Sequence, residues 1–497
     1  MNKYSVITSN KMKKLKFTRL FAIWIVMFSS NFSQGISLEE AIEMGMNSNP
    51  RIKQYSEKVA QKEYSDIEAW GNFLPKININ WNYTHLNEPI AINLNPIREA
   101  MISLQSANMV EMANIFSLIQ SGSPLSDIQK GGLLSQYINQ LESKLPFFVE
   151  NVKPRDYQSA TITAVQPLFL GGKLYAAKKY SSSELNASKE ELRKIENELK
   201  QEITSTYLTA LLLGDIVTTR KDVLDGMNKH KNRAERLLEE GIIANHYLFR
   251  AKVAVAEAER NLYDDNKKLE LALSLLKNLI GVDDEQVITT VDSLVFRELS
   301  LKIDTLINVA YLQQPVLSML DYKKDAADQK MVAERAKLFP TVAAFGKYEL
   351  QPEYLSLLEP RWAVGLQVSL NLFNGFQDYA NMQSASHLKK EVSYLIESTK
   401  KQVEIAVRKN YTELLSAKEK YRQTVHSSEL AEENLRLFSR RFETGLSTSL
   451  EVIDAQLLYE KQQIDSKTIL YEYYNSLNKL YTITGSPDEF INVWRMK

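Results

Sequence analysis

The chain has 497 residues with 61 basic and 61 acidic side chains, so its formal net charge is zero, and it has no cysteine. Balanced charge gives no footing for nucleic acid, which needs a basic excess, and the lack of cysteine removes zinc ribbons, thiol nucleophiles and disulfide frameworks. Glycine (17) and proline (13) are scarce for this length, which favours long uninterrupted helices.

Residues 1–35 have the order of a secretory signal: basic "KMKKLKFTRL" (11–20), apolar "FAIWIVMF" (21–28), then small and polar "SSNFSQG" (29–35). The apolar run is far short of the ~20 residues of a spanning helix, and no later stretch approaches one. Entry into a membrane would therefore be by β-strands. The rest reads as a duplicated unit. "NPRIKQYSEKVAQKEYSDIEAWGNFLPKININWNY" (49–83) parallels "QPVLSMLDYKKDAADQKMVAERAKLFPTVAAFGKY" (314–348), with Pro50, Pro75 and Tyr83 opposite Pro315, Pro340 and Tyr348. "PLFLGG" (167–172) parallels "LNLFNG" (370–375); Gly241 comes 69 residues after Gly172, and Gly445 comes 70 after Gly375. The divisions are a first repeat at 36–280, an acidic, β-branched connecting segment at 281–303, a second repeat at 304–485 and a tail at 486–497.

Each repeat reads helix, strand, loop, strand, long helix, glycine turn, long helix. Neither Phe376–Thr444 nor Leu446–Thr484 contains glycine or proline. The first run, if helical, is ~100 Å long at ~1.5 Å per residue. Apolar residues recur at three- and four-residue steps, as in Leu192, Ile195, Leu199 and Ile203, the spacing of a coiled coil. An ordinary helical bundle has the same period but neither this length nor the strands. In "KININWNYT" (76–84), Ile77, Ile79, Trp81 and Tyr83 alternate with Asn78, Asn80, Asn82 and Thr84. In "RWAVGLQVSL" (361–370), Trp362, Val364, Leu366, Val368 and Leu370 alternate with small or polar residues. Alternation gives each strand one apolar face, as in a soluble sandwich or a membrane barrel, and the asparagine face favours a wet lumen. Two further strands are expected at "YQSATITAV" (157–165), whose facing is open, and "TVAAFGKYEL" (341–350). Four such strands cannot close a barrel, since the smallest use about eight, so a barrel must pool strands between subunits.

The secretory start, the two copies of this order, "LFLGG" and "LFNG" opening the long helices, and "RFETGLSTSLEVIDAQ" (441–456) at a turn together resemble the TolC-like outer-membrane efflux proteins, over about 37–485. The resemblance implies a mainly α fold with a membrane β-barrel: long helical hairpins forming a trimeric α-barrel tunnel, and four strands per subunit in a shared twelve-stranded barrel. It implies an outer-membrane exit duct that extends into the periplasm of a Gram-negative-type cell. Its partners would be two further copies, a periplasmic adaptor, an inner-membrane pump and outer-membrane lipid, with no cofactor, metal or nucleic acid. The lipid-facing residues would be Ile77, Ile79, Trp81, Tyr83, Trp362, Val364, Leu366 and Val368. The two glycine turns would be the periplasmic tips, with Gly241, Ile242, Arg441, Phe442, Gly445, Leu446 and Ser447 meeting the adaptor. The family's lumen-facing acid ring would fall on Glu451 and Asp454, which share a helix face, and mutual repulsion would raise carboxylate pKa values there.

The chain departs from some members around the tips. Phe442 and Ser447 stand where those members carry a latch tyrosine and arginine, and Tyr247, beside His246, stands for the latch acid, so a charged latch is not expected. The long segment 90–156 carries helix-like stretches at 98–120 and 133–148 and would lie outside the cell. A secreted or periplasmic coiled-coil scaffold is the alternative, and it gives no reason for the alternating strands. An enzyme lacks support: His85, His230, His246, His387 and His426 are scattered, with no HExxH helix or glycine-rich phosphate loop. Small polar walls leave drug, metal-ion and protein export all open.

Overall fold

A computed structural model describes residues 34–356 and 359–495. The signal read at 1–35 lies, but for its last two residues, outside them. The elements begin with β1 (Gln34–Ile36), α1 (Leu38–Ser48), α2 (Pro50–Gly71), β2 (Lys76–His85), β3 (Ile90–Asn93), α3 (Asn95–Ser121) and α4 (Asp127–Lys144). They continue with β4 (Val149–Lys153), β5 (Asp156–Leu170), α5 (Lys173–Glu239), α6 (Asn245–Ile280), β6 (Ile288–Thr290), α7 (Ile303–Gln313) and α8 (Pro315–Ala336). The last are β7 (Thr341–Glu349), β8 (Trp362–Ser369), α9 (Gln377–Glu443), α10 (Ser449–Ile483) and α11 (Asp488–Arg495). The chain folds into two units: one takes in residues up to Asp66, Lys179–Gln329 and those from Ala385 on, the other Ile67–Lys178 and Lys330–Ser384.

Local chemistry explains most boundaries. Pro50 and Pro315 open α2 and α8, each 22 residues long, at the position where the missing amide hydrogen is not needed. Pro75 and Pro340 immediately precede β2 and β7. α5 and α9 are both 67 residues long. Each starts after two consecutive residues of positive φ, Gly171 and Gly172 before α5, Gly375 and Phe376 before α9. This corrects the pairing of Gly172 with Gly375: Gly171 is the counterpart of Gly375, and both tip glycines then lie 70 residues on. Phe376 adopts the left-handed backbone at φ 62° without being glycine. Gly171 has no such freedom to change, because a Cβ there would lie 2.4 Å from the Ala336 carbonyl oxygen.

In the second unit, β2, β5, β7 and β8 form an antiparallel sheet in that order. Its register settles the facing left open for β5. Ile79 pairs with Ile162, Ile162 with Tyr348 and Tyr348 with Trp362, so one row of large apolar residues crosses all four strands. The next row is Ile77, Ala164, Gly346 and Val364. The opposite face holds Asn78, Asn80, Thr161, Thr163, Lys347 and Gln367, together with Phe345, whose ring covers Gly365. β5 runs to Leu170, five residues beyond the expected strand. The segment between β2 and β5 folds as the β3–β4 ribbon with α3 and α4 beyond it.

In the first unit, α5, α6, α9 and α10 supply most of a core that includes Leu199, Ile203, Tyr207, Leu276, Val407, Tyr473, Tyr474 and Leu477. The connecting segment is laid against this core. β6 pairs in parallel with β1. The Tyr207 hydroxyl donates to the Ile36 carbonyl at 2.8 Å and to Asp292 at 2.7 Å, and the Tyr473 hydroxyl donates to the Arg297 carbonyl at 2.8 Å. The expected tail contains α11, which buries Phe490 and Val493 and is tied down by Arg297 donating to the Val493 and Trp494 carbonyls.

One charge cluster joins three helices of this unit. Arg220 of α5 donates to Asp265 of α6 at 2.8 Å and to Glu460 of α10, and Lys268 meets Asp265 at 2.7 Å. Asp265 and Glu460 are each only 5% exposed. Burial works to raise the Asp265 pKa, but the hydrogen bonds and positive charges of Lys268 and Arg220 outweigh it and hold the carboxyl below its ordinary value. Breaking such a cluster from one side leaves buried charge uncompensated. Arg220→Met is expected to destabilise the protein by about 3–5 kcal/mol, whereas the triple change Arg220→Met, Asp265→Leu and Glu460→Leu is expected to be near neutral. Thermal unfolding of the detergent-solubilised proteins checks both outcomes.

Candidate functional site

The site is built from the two helix-to-helix reversals. At the first, the Ile242 amide donates to the Leu237 carbonyl at 2.8 Å and the Gly241 amide to the Leu238 carbonyl at 3.0 Å. At the second, Leu446 donates to Arg441 at 2.9 Å and Gly445 to Phe442 at 3.1 Å. Both are Schellman turns, which need a left-handed residue just past the helix, and Gly241 and Gly445 both sit at φ 72°. The two turns meet: a Cβ on Gly445 would lie 3.8 Å from Ile242 Cγ2. Between them is a cleft of about 270 Å³ bordered by Ile242, Tyr247, Phe442, Leu446, Ser449 and Glu451.

The two reversals differ in how the next helix starts. α6 begins after Ala244, which offers no side-chain cap. α10 begins with a capping box: Thr448 Oγ1 accepts from the Glu451 amide at 3.3 Å, and Glu451 Oε2 accepts from the Thr448 amide at 2.6 Å. The Ser447 hydroxyl donates to the same carboxylate oxygen at 2.9 Å. Glu451 is therefore a helix cap as well as an acid, and "TSLE" (448–451) carries that signature in the sequence. The rise expected of the ring would come from repulsion between copies, whereas within one chain the influences on Glu451 are local. The Thr448 amide first, then the Ser447 and Thr448 hydroxyls, hold the Glu451 carboxyl below its ordinary value. Asp454 lies one turn on, and both acids are on α10, Glu451 and Asp454 alike open to solvent in the single chain.

The remaining tip residues divide by exposure. Gly241, Ile242, Arg441, Gly445 and Leu446 are exposed and Ser447 is partly so. Phe442 is not available as a contact surface. It is 3% exposed and packs with Ala234, Leu237, Leu248, Ala251 and Val452 into a small core beneath the turns. Sequence reasoning passed over the polar contact inside that core. The His230 ring of α5 stacks tilted on Phe442, with centroids 4.7 Å apart, and its Nε2 lies 2.7 Å from the Ser449 hydroxyl at the start of α10. Nothing in the sequence flags His230, because its partners are 212 and 219 positions away. Arg233 adds a bond to the Glu443 carbonyl at 3.1 Å. The two hairpins are thus joined near their tips by a histidine–serine contact and an arginine-to-carbonyl bond.

Two helical hairpins reversed on left-handed glycines, carried on a chain whose sheet is apolar on one face, are the parts of an outer-membrane channel subunit. A profile of the outer membrane efflux protein family matches residues 136–282 and 306–486, and the chain belongs to that family. Its place is the outer membrane and the periplasm, and its task is the outlet channel of an efflux system that works with a periplasmic adaptor and an inner-membrane pump. Solved structures share the fold at low identity. VceC of Vibrio cholerae is 16% identical, with a TM-score of 0.68 over 90% of this chain and 96% of that chain. CmeC of Campylobacter jejuni is 13% identical, with a TM-score of 0.68 over 92% and 89%. The open state of MtrE of Neisseria gonorrhoeae is 14% identical, with a TM-score of 0.67 over 90% and 89%. No curated protein sequence matches the chain.

The buried histidine gives the tips a pH dependence. Burial pushes the His230 pKa down to about 4 from 6.5. Between those values the unfolded chain binds a proton that the folded chain excludes, so the contact contributes fully above pH ~6.5 and its contribution falls as pH drops toward ~4. The loss for one such group is about 3 kcal/mol. The thermal midpoint of the natural chain is expected to fall more steeply across this window than that of His230→Gln. Parallel curves would show that His230 is not the titrating group.

Proposed function

We propose that three copies of the chain pool their sheets into one twelve-stranded barrel, and that their hairpins form a tunnel closed at the paired tips. The sheet carries this reading: one face is apolar in all four strands, and among the described residues β2 and β8 each keep one unpaired edge. An open edge in hydrocarbon leaves amide and carbonyl groups unsatisfied. Because neighbouring strands alternate in direction, β8 of one copy runs opposite to β2 of the next, and a ring of copies closes without breaking the antiparallel order. Ile77, Ile79, Trp81, Tyr83, Trp362, Val364, Leu366 and Val368 then face lipid, each more than half exposed in the single chain, while the asparagine face lines the lumen. Adjacent residues of β8 test the facing. Leu366→Lys is expected to cost about 2–4 kcal/mol near the bilayer midplane and to deplete assembled trimer in the outer membrane, with Gln367→Lys tolerated. Equal tolerance would refute the assignment of faces.

In the helical unit, Gly241, Ile242, Arg441, Gly445, Leu446 and Ser447 form the surface offered to the adaptor, and Glu451 and Asp454 form a cation-selective ring. The ring needs a test that spares the helix start. Glutamine serves at the third position of a capping box as glutamate does, so Glu451→Gln with Asp454→Asn removes charge and keeps the cap. In planar bilayers this variant is expected to lose cation selectivity and block by multivalent cations. Glu451→Ala adds the loss of the capping-box contact to the Thr448 amide. Natural selectivity and block in the Gln/Asn variant would place the constriction elsewhere.

A further inference from the structure

The hairpin inserted between β2 and β5 has a face that nothing among the described residues covers. Its root is fixed. Arg98 is 6% exposed and donates to the Leu145 carbonyl from Nε and Nη2 at 3.0 and 2.9 Å. Lys153 meets Glu359 in the β7–β8 loop at 3.0 Å. α3 packs against α4 and buries Ile102, Ser106 and Val110. Its other side carries Ile97, Met101, Leu104, Met112, Ile115 and Ile119, each at least half exposed. With the exposed Asn108 between them, these follow one another at three- and four-residue steps. At ~100° per residue they hold to a sector of about 80°, the spacing of a helix–helix seam. A single asparagine in such a seam costs stability and fixes the register in which helices pair.

We propose that the three α3 helices of a trimer pack on one another along this stripe at the outer mouth of the barrel. The proposal rests on the twelve-stranded reading above. Three observations select a second copy of the chain over lipid. First, the hairpin grows from β2, an edge strand of the sheet, so it borders the seam between copies. Second, α3 carries three charged residues, Arg98, Glu99 and Glu111. The lone cation is buried and the exposed charges are acidic, the reverse of the Lys/Arg-rich polar face of a helix that lies on a bilayer. Third, the reach is sufficient. Twelve strands ~4.8 Å apart and tilted ~40° make a barrel about 24 Å across. α3, at ~1.5 Å per residue, is about 40 Å long and exceeds the distance from any strand to the axis.

The chain has no natural cysteine, so a single introduced thiol reports cleanly. In the full-length protein in native membranes, Met112→Cys and Leu104→Cys treated with a short bis-maleimide are expected to join copies. The yield should be at least about ten-fold that of Ser103→Cys, which is exposed on α3 away from the stripe. Trimers whose three variants crosslink equally overturn the seam and leave the barrel reading standing. A Met112→Cys thiol that reacts with a lipid-phase maleimide in place of the crosslinker assigns the stripe to lipid and overturns it too. A chain that is monomeric after mild detergent extraction overturns both readings.

Discussion

A sheet with one apolar face and, among the described residues, two unpaired edges governs the rest of this structure. A soluble protein could cover such a face with helices and blunt the edges with charge. Here, among the described residues, the face stays uncovered across four strands, from Ile79 through Ile162 and Tyr348 to Trp362. On the proposed reading the sheet is a fragment of a larger closed surface, and its strand order sets how copies would meet. The outward alternation in β2 and β8 is strong because those strands carry large residues. The inner strands carry it weakly: Ala160 and Ala164 in β5, Ala344 and Gly346 in β7. That unevenness is why the sequence alone left β5 unoriented and why pairing register orients it at once.

At the tips one residue type answers a backbone need and another a terminal need. Gly241 and Gly445 serve identical Schellman turns, so both repeats require them. Glu451 has no counterpart because α6 starts without a cap and α10 starts with a full capping box. The acid after only one turn thus has a local reason that holds in a single chain, before any ring is formed. Within one chain its depressed pKa keeps it charged at lower pH than a free glutamate. Capping and charge are separable by the Gln substitution because only one of them needs ionisation.

Legibility in the sequence tracked the range of the interactions. The glycine turns, the 67-residue helices and the alternating strands are encoded by neighbours three, four or two residues apart, and they could be read. The 281–303 segment has no period of its own. It is held by tyrosine hydroxyls from α5 and α10 that reach its carbonyls and Asp292, so it read only as a connection. α11 is short and read as a tail, although it closes the core with Phe490. The one-residue slip in pairing Gly172 with Gly375 arose because Phe376 occupies a left-handed position that favours glycine; sequence similarity followed the glycine while the backbone followed the turn. His230 was invisible for the same reason as the connecting segment, since both of its contacts lie beyond the helix that carries it.

The buried polar contacts along the hairpins have a common geometry. Asn478 donates to the Gln201 carbonyl at 3.0 Å, Arg220 reaches Glu460, and His230 meets Ser449. From Gln201 to His230 is 29 residues on α5, and from Ser449 to Asn478 is 29 on α10, so these contacts describe one antiparallel register. Long helices with apolar residues at every third or fourth position have near-equivalent packings one heptad apart, a shift of about 10 Å. Apolar side chains discriminate poorly between such registers. A slip of α5 along α10 would part Glu460 from Arg220 and His230 from Ser449 within the core, each at a cost of about 1–3 kcal/mol or more. The polar contacts add little net stability where they are satisfied, yet they make every other alignment expensive. That is the property two long hairpins need if their tips are to arrive together, with Ile242 against Gly445.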